Sequence, residues 1–152
     1  MANITQAQFL STLPDVTIPH LPPPLRGITV RQPWRWLIQF HYGEASLHYE
    51  VSKVPRLDGW ELGFHCEAKD KHLNRYLLNG FRQHLFEIKD TVGSSVEAEM
   101  WDRGWTKIYE IYPFVAMTSD HQKDVGWRVA QLISCIQPIF AELRSDVQKI
   151  HR

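Results

Sequence analysis

Two short stretches carry the residue types from which chemistry could be built. His48 and Glu50 stand two apart in LHYEV, and His65 and Glu67 stand two apart in GFHCE. Residues two apart in an extended chain share a face, so each stretch presents one imidazole and one carboxylate on the same side of a strand. Where two such strands are neighbours, the four side chains come within reach of one another. Two imidazoles and two carboxylates suit a divalent ion of borderline hardness, zinc, iron or manganese. The same four could equally form an ion-paired polar ladder on a wet sheet face, and no fixed-spacing signature such as HExxH accompanies them. A second set is aromatic: Trp101, Trp105 and Tyr109. Their large apolar rings, with polar atoms left to find partners, predict a binding patch for a ligand or a protein. Base stacking would use the same rings but would also want a basic groove. The chain contains no GxSxG and no phosphate-cradling glycine loop, so the usual nucleophile constellations have no footing.

The elements that must hold these residues follow from periodicity. Trp60, Leu62, Phe64, Cys66 and Ala68 alternate with Glu61, Gly63, His65, Glu67 and Lys69, the pattern of a half-buried strand. Directly after it Leu73, Tyr76, Leu77, Phe81, Leu85, Ile88 and Val92 form a helical stripe, with Asp70 placed to cap it. A sheet face and a helix stripe in succession bury each other, and this pair is expected to be the core. Upstream, Trp34, Trp36, Ile38, Phe40 and Tyr42 predict an aromatic-lined strand. A two-residue turn at Gly43-Glu44 would set Phe40 opposite Leu47, Ile38 opposite Tyr49 and Gln39 opposite His48. Pro55 to Gly59 then leads into the Trp60 strand, completing a meander.

Downstream, Val96 to Trp101 and Trp105 to Tyr112 read as a hairpin around Asp102-Arg103-Gly104, pairing Glu99 with Lys107 and Glu97 with Tyr109. Val96, Ala98, Met100, Ile108 and Tyr112 are assigned to its core face, which leaves the tryptophans outside. Ser119-Asp120-His121-Gln122 has capping-box spacing and opens a last helix through Val125, Val129, Leu132, Ile136, Ile139, Leu143, Val147 and Ile150, bent at Pro138. At some thirty residues it would run about 45–50 Å, longer than a domain of this size is wide, which predicts a homodimer through this helix. Near the start, Ile4 to Leu13 could form a helix that Pro14 ends, and residues 14–32, with the run Pro22-Pro23-Pro24, read as a stiff extended arm. The order is therefore α-β-β-β-α-β-β-α: an α+β fold, a mostly antiparallel five-stranded sheet with helices on one face.

Composition bounds the function. The 152 residues suffice for one domain, 1–152, with a core of its own. Lysine plus arginine equals aspartate plus glutamate, and a formal net charge of zero argues against a nonspecific nucleic-acid or anionic-membrane binder, which needs a basic face. Cys66 and Cys135 belong to no CxxC and are expected to be reduced, packed thiols. With neither a basic region followed by an apolar run at the start nor an apolar stretch of membrane-spanning length, the expectation is a cytoplasmic protein.

Glu67-Ala68-Lys69 has the D/E-x-K spacing of restriction-endonuclease-like nucleases, whose α-β-β-β-α-β core resembles the first part of this order. The resemblance implies a divalent metal held by Glu67 and an upstream acid, Asp58 or Glu50, with Lys69 assisting the attacking water. The runs QPWRWLIQFHYGE, LHYEV and NRYLLNGF resemble bacterial hypothetical proteins that carry no assigned activity, and this second likeness supplies no functional residues. Two functions are thus expected to compete. One is a non-enzymatic binding or accessory module acting as a homodimer, with Trp101, Trp105 and Tyr109 as its surface and no cofactor. The other is a metal-dependent nuclease or phosphodiesterase.

Overall fold

The alternating stretches pair into one antiparallel sheet, and the helical stripes cover one of its faces. The computed structural model describes residues 3–150, with the Lys149 and Ile150 side chains outside the described part. In chain order it has α1 (Gln6–Thr17), β1 (Thr29–Trp34), β2 (Leu37–His41), β3 (Leu47–Val54), β4 (Gly59–Cys66), α2 (Lys71–Gln83), α3 (Leu85–Thr91), β5 (Glu97–Met100), β6 (Thr106–Pro113) and α4 (Ser119–Ile150). The strand order is β1-β2-β3-β4-β6-β5. The two helices after β4 lead to the sheet edge, and β6 fills the place left between β4 and β5. The class is α+β, as the periodicity predicts.

There are six strands among the described residues, one more than expected. The alternation from Trp34 to Tyr42 is not one strand: Arg35 and Trp36 make a turn, Trp34 pairs with Leu37, and Val30 with Phe40. Pro33 is tolerated because β1 lies at the sheet edge, where a missing amide donor matters least. Trp34 and Trp36, read as inner residues, instead stack on each other at 5.4 Å with 58% and 52% of their surface exposed. Before β1 the 14–32 segment is mostly helix and turn, with Leu21 and Pro22 extended between turns. Helix α1 runs through Pro14 to Thr17, and Pro19 and Pro23 lie in short 3₁₀ turns. Fixed proline φ angles suit such turns as well as they suit polyproline geometry.

The β2–β3 connection is five residues long, not two, so the register moves by two. Phe40 faces Tyr49, Ile38 faces Val51 and Gln39 faces Glu50. Because side chains alternate with period two, that shift leaves every residue on its expected face. The β5–β6 hairpin has the expected register, Glu97 opposite Tyr109 and Glu99 opposite Lys107, with Arg103 and Gly104 at positive φ in its turn. Met100, assigned to the core, lies at the strand end and is exposed.

On the covered face, Phe64 packs edge-on against Phe81 of α2 and at 4.7 Å from Phe140 of α4, while Trp60 stacks on Phe9 of α1 at 4.5 Å. Asp70 caps α2 through the amides of His72 and Leu73. The expected single helix breaks at His84, whose amide turns back to Phe81. The cap of α4 is Thr118 rather than Ser119: its hydroxyl accepts the His121 amide at 3.3 Å. Gln122 is spent elsewhere, donating to the Phe9 carbonyl at 2.8 Å and so tying α4 to α1. The far end of α4 is held by its own chain, Arg144 forking onto Glu44 and Leu143 lying over Gly80. Its length alone therefore does not call for a partner.

His121 joins these layers. Its Nε2 accepts from the Trp60 indole at 3.1 Å and from the Val115 amide at 3.3 Å, amid the rings of Phe9, Tyr112 and Phe114. Two donors on one nitrogen require its lone pair, and burial lowers the His121 pKa from its ordinary 6.5. The unfolded chain then binds more protons than the folded one below about pH 6.5, so stability falls as pH drops from there toward the folded pKa. A His121→Asn protein should be less stable than the parent in thermal melts at pH 7.5, and the gap should narrow at pH 5.5, a difference from which the opposite contribution of groups with raised pKa values drops out. Parallel profiles for the two proteins would contradict the assignment.

Candidate metal centre

Pairing of β3 with β4 sets His48 directly opposite His65 on the face away from the helices, and their rings stack at 5.6 Å. Two residues along, on the same face, Glu50 faces Gly63. A Cβ on Gly63 would lie 2.5 Å from Tyr109 Cβ and 2.6 Å from the Ile108 carbonyl, so only glycine lets β4 and β6 approach this closely. With no side chain opposite it, Glu50 brings Oε2 to 3.8 Å from His65 Nε2. Glu67 lies just past the end of β4, but its amide bonds the Ser46 carbonyl and its carboxylate takes a hydrogen bond from His65 Nδ1 at 3.0 Å. One nitrogen or oxygen from each of His48, Glu50, His65 and Glu67 lies within 4.8 Å of all the others. Both imidazoles are only 2% exposed.

A second layer fixes these groups. His48 Nδ1 sits 2.9 Å from the Ala45 carbonyl, which only accepts, so Nδ1 carries a proton and Nε2 faces the cluster. The Gln39 amide reaches both His48 Nε2 and Glu50 Oε1. His65 Nε2 donates to Glu61 at 2.9 Å, and the other oxygen of Glu61 accepts from Lys107 at 2.7 Å. Burial pushes the Glu50 carboxyl up, but its contact with His48, the charge of His65 and the bond from the Gln39 amide hold it below its ordinary value. Glu61 is likewise lowered against burial by His65 and Lys107. Burial opposes the charge on His65, yet Glu61, Glu67 and Glu50 raise its pKa to about 9. In the metal-free protein a proton on His65 thus does the neutralising work.

The donor set fits a divalent ion. A tetrahedral site with bonds of 2.0–2.2 Å has edges of about 3.3–3.6 Å, so donors spread over as much as 4.8 Å need to close by about 1.2–1.5 Å. His48 is already oriented by a backbone carbonyl, and whichever His65 nitrogen turns to an ion, the other keeps a carboxylate, the usual support for a ligating imidazole. Cys66 takes no part: it points into the core, where burial pushes its thiol to about 12. Imidazole and carboxylate without thiolate favour zinc, manganese or iron.

The other sequence-named residues divide. Glu50 and Glu67 are brought together; Asp58 and Lys69 do not join them. Asp58 sits at the opposite end of β4, about 23 Å along the strand from His65, with its side chain 81% exposed beside Lys53. Lys69 lies beyond the end of β4, after Ala68, whose amide and carbonyl are held by Asn74. It is exposed, and among the described residues it makes no ion pair. Trp101 and Trp105 lie 5.3 Å apart, and Trp101 places its ring 5.8 Å from His65. Tyr109 donates to Glu99, with burial and that carboxylate raising its pKa to about 12, and Lys107 lies over its ring. The aromatic patch and the histidine cluster, read separately in the sequence, adjoin each other on the outer face of the sheet.

Above it opens a cleft of about 410 Å³ lined by Arg31, Trp34, Gln39, His48, Glu67 and Trp105, among others. Sequence reasoning gave no role here to Gln39, Glu61, Lys107, Arg31 or Trp34. Glu61 and Lys107 were legible as outer-face neighbours of His65 and Glu99, whereas Arg31 was hidden in the proline-rich segment.

Comparison of the chain with protein-family models, curated proteins and solved structures finds no match. Among the described residues no helix is long and apolar enough to cross a membrane.

Proposed function

We propose that the protein is a divalent-metal-binding module that holds one ion between His48, Glu50, His65 and Glu67 at the floor of the cleft. The carrying observation is the convergence of one donor atom from each of these four side chains within 4.8 Å. Orientation of both imidazoles by further hydrogen bonds supports it. The bound ion would supply a Lewis-acidic point facing the cleft, while Gln39, Glu61 and Lys107 keep its ligands in place.

Chelator-stripped protein titrated with Zn²⁺ and with Mn²⁺ in a calorimeter tests this. One ion per chain is expected, and at one hundred times the dissociation constant the folded state gains about 2.7 kcal/mol. That should raise the melting midpoint by about 5–10 °C for a chain of this length. No binding heat and an unmoved midpoint with both ions would overturn the proposal.

A further inference from the structure

We infer that the cleft over this centre takes a small aromatic oxyanion, its carboxylate or phosphate group lying between Arg31 and the ion and its ring against Trp34 and Trp105. The inference rests on the metal reading and adds the ligand class. Arg31 pairs with Gln39, and Gln39 with Glu50, so the guanidinium belongs to the same cross-strand row as a proposed metal ligand and faces the same side of the sheet. It lines the cleft together with His48 and Glu67. Arg31 is exposed and, among the described residues, forms no ion pair, which leaves its fork of donors for an oxyanion. Trp34 is steadied by stacking on Trp36, so an apolar ring surface is held ready at the cleft wall. A volume of about 410 Å³ suits a metabolite-sized molecule.

Charge makes the binding conditional. Glu50, Glu61 and Glu67 crowd the floor, where Lys107 and His65 answer only part of their charge, so an anion is opposed there until a divalent cation is added. The ion and its anionic ligand should therefore bind in order, metal first.

Calorimetry with benzoate and adenosine monophosphate, each against its ring-free counterpart, acetate or inorganic phosphate, tests the inference on zinc-loaded and zinc-free protein. At least one aromatic probe should bind the zinc-loaded protein about tenfold or more tighter than its counterpart and lose that binding without zinc. Arg31→Ala should weaken the aromatic probe about tenfold or more, while zinc affinity, titrated separately, stays as in the parent. Zinc binding with neither aromatic probe bound, or equal probe binding by the Arg31→Ala protein, overturns this inference alone. Absence of zinc binding removes the metal reading, and this inference with it.

Discussion

Replacing Arg128 by methionine should destabilise the protein by about 3–5 kcal/mol, because it leaves a buried carboxylate without its counter-charge. Glu110 projects from β6 into the helix-covered face and is 1% exposed. Arg128 of α4 forks onto it, Nη2 to Oε2 at 2.8 Å and Nε to Oε1, and Ser95 donates to Oε2 at 3.0 Å. The charge is tolerable only while all of these donors stay. The double change Arg128→Met with Glu110→Leu should recover most of the loss, since a well-packed apolar pair can match a buried ion pair in stability. Urea unfolding of the two variants beside the parent decides the matter. A single variant within 1 kcal/mol of the parent would show that the fork contributes little.

The second large effect concerns the site. His48→Ala should lower divalent-metal affinity by about 100-fold or more, beyond the 10–100-fold typical of losing a supporting group. His48 is the better probe of the two imidazoles. Removing His65 would strip Glu61 and Glu67 of the cation between them, and a loss of folding would be confused with a loss of binding. His48 makes its bonds to a backbone carbonyl, Gln39 and Glu50, so its removal opens the ligand set with less disturbance. Circular dichroism of the variant should match the parent while the calorimetric titration flattens. Unchanged affinity in a folded His48→Ala protein would place any ion elsewhere.

Much of this architecture is legible in residue order. The alternation of β4, the Asp70 cap and the hairpin at Arg103-Gly104 each state one local rule and obey it. The two-residue shift between β2 and β3 moves Gln39 from opposite His48 to opposite Glu50 but leaves it on the same face, and the pairing of β3 with β4 alone brings His48, Glu50, His65 and Glu67 together. Features without a local signal were not legible. The apolar stripe continues across His84 although the helix does not, and Trp34 and Trp36 continue an alternation that a turn interrupts. Period two could not place Lys69, because β4 ends at Cys66. Glu110 stands on the core face by alternation alone, but only the arrival of Arg128 from a distant helix explains how it can stay there.

Anomalous diffraction at the zinc absorption edge, from crystals of the zinc-loaded protein, tests the central claim most directly. One peak per chain is expected, about 2.0–2.2 Å from a nitrogen of His48, a nitrogen of His65 and oxygens of Glu50 and Glu67. Crystals that hold zinc elsewhere, with His65 still bonded to Glu61 and Glu67 on its two nitrogens, would contradict it.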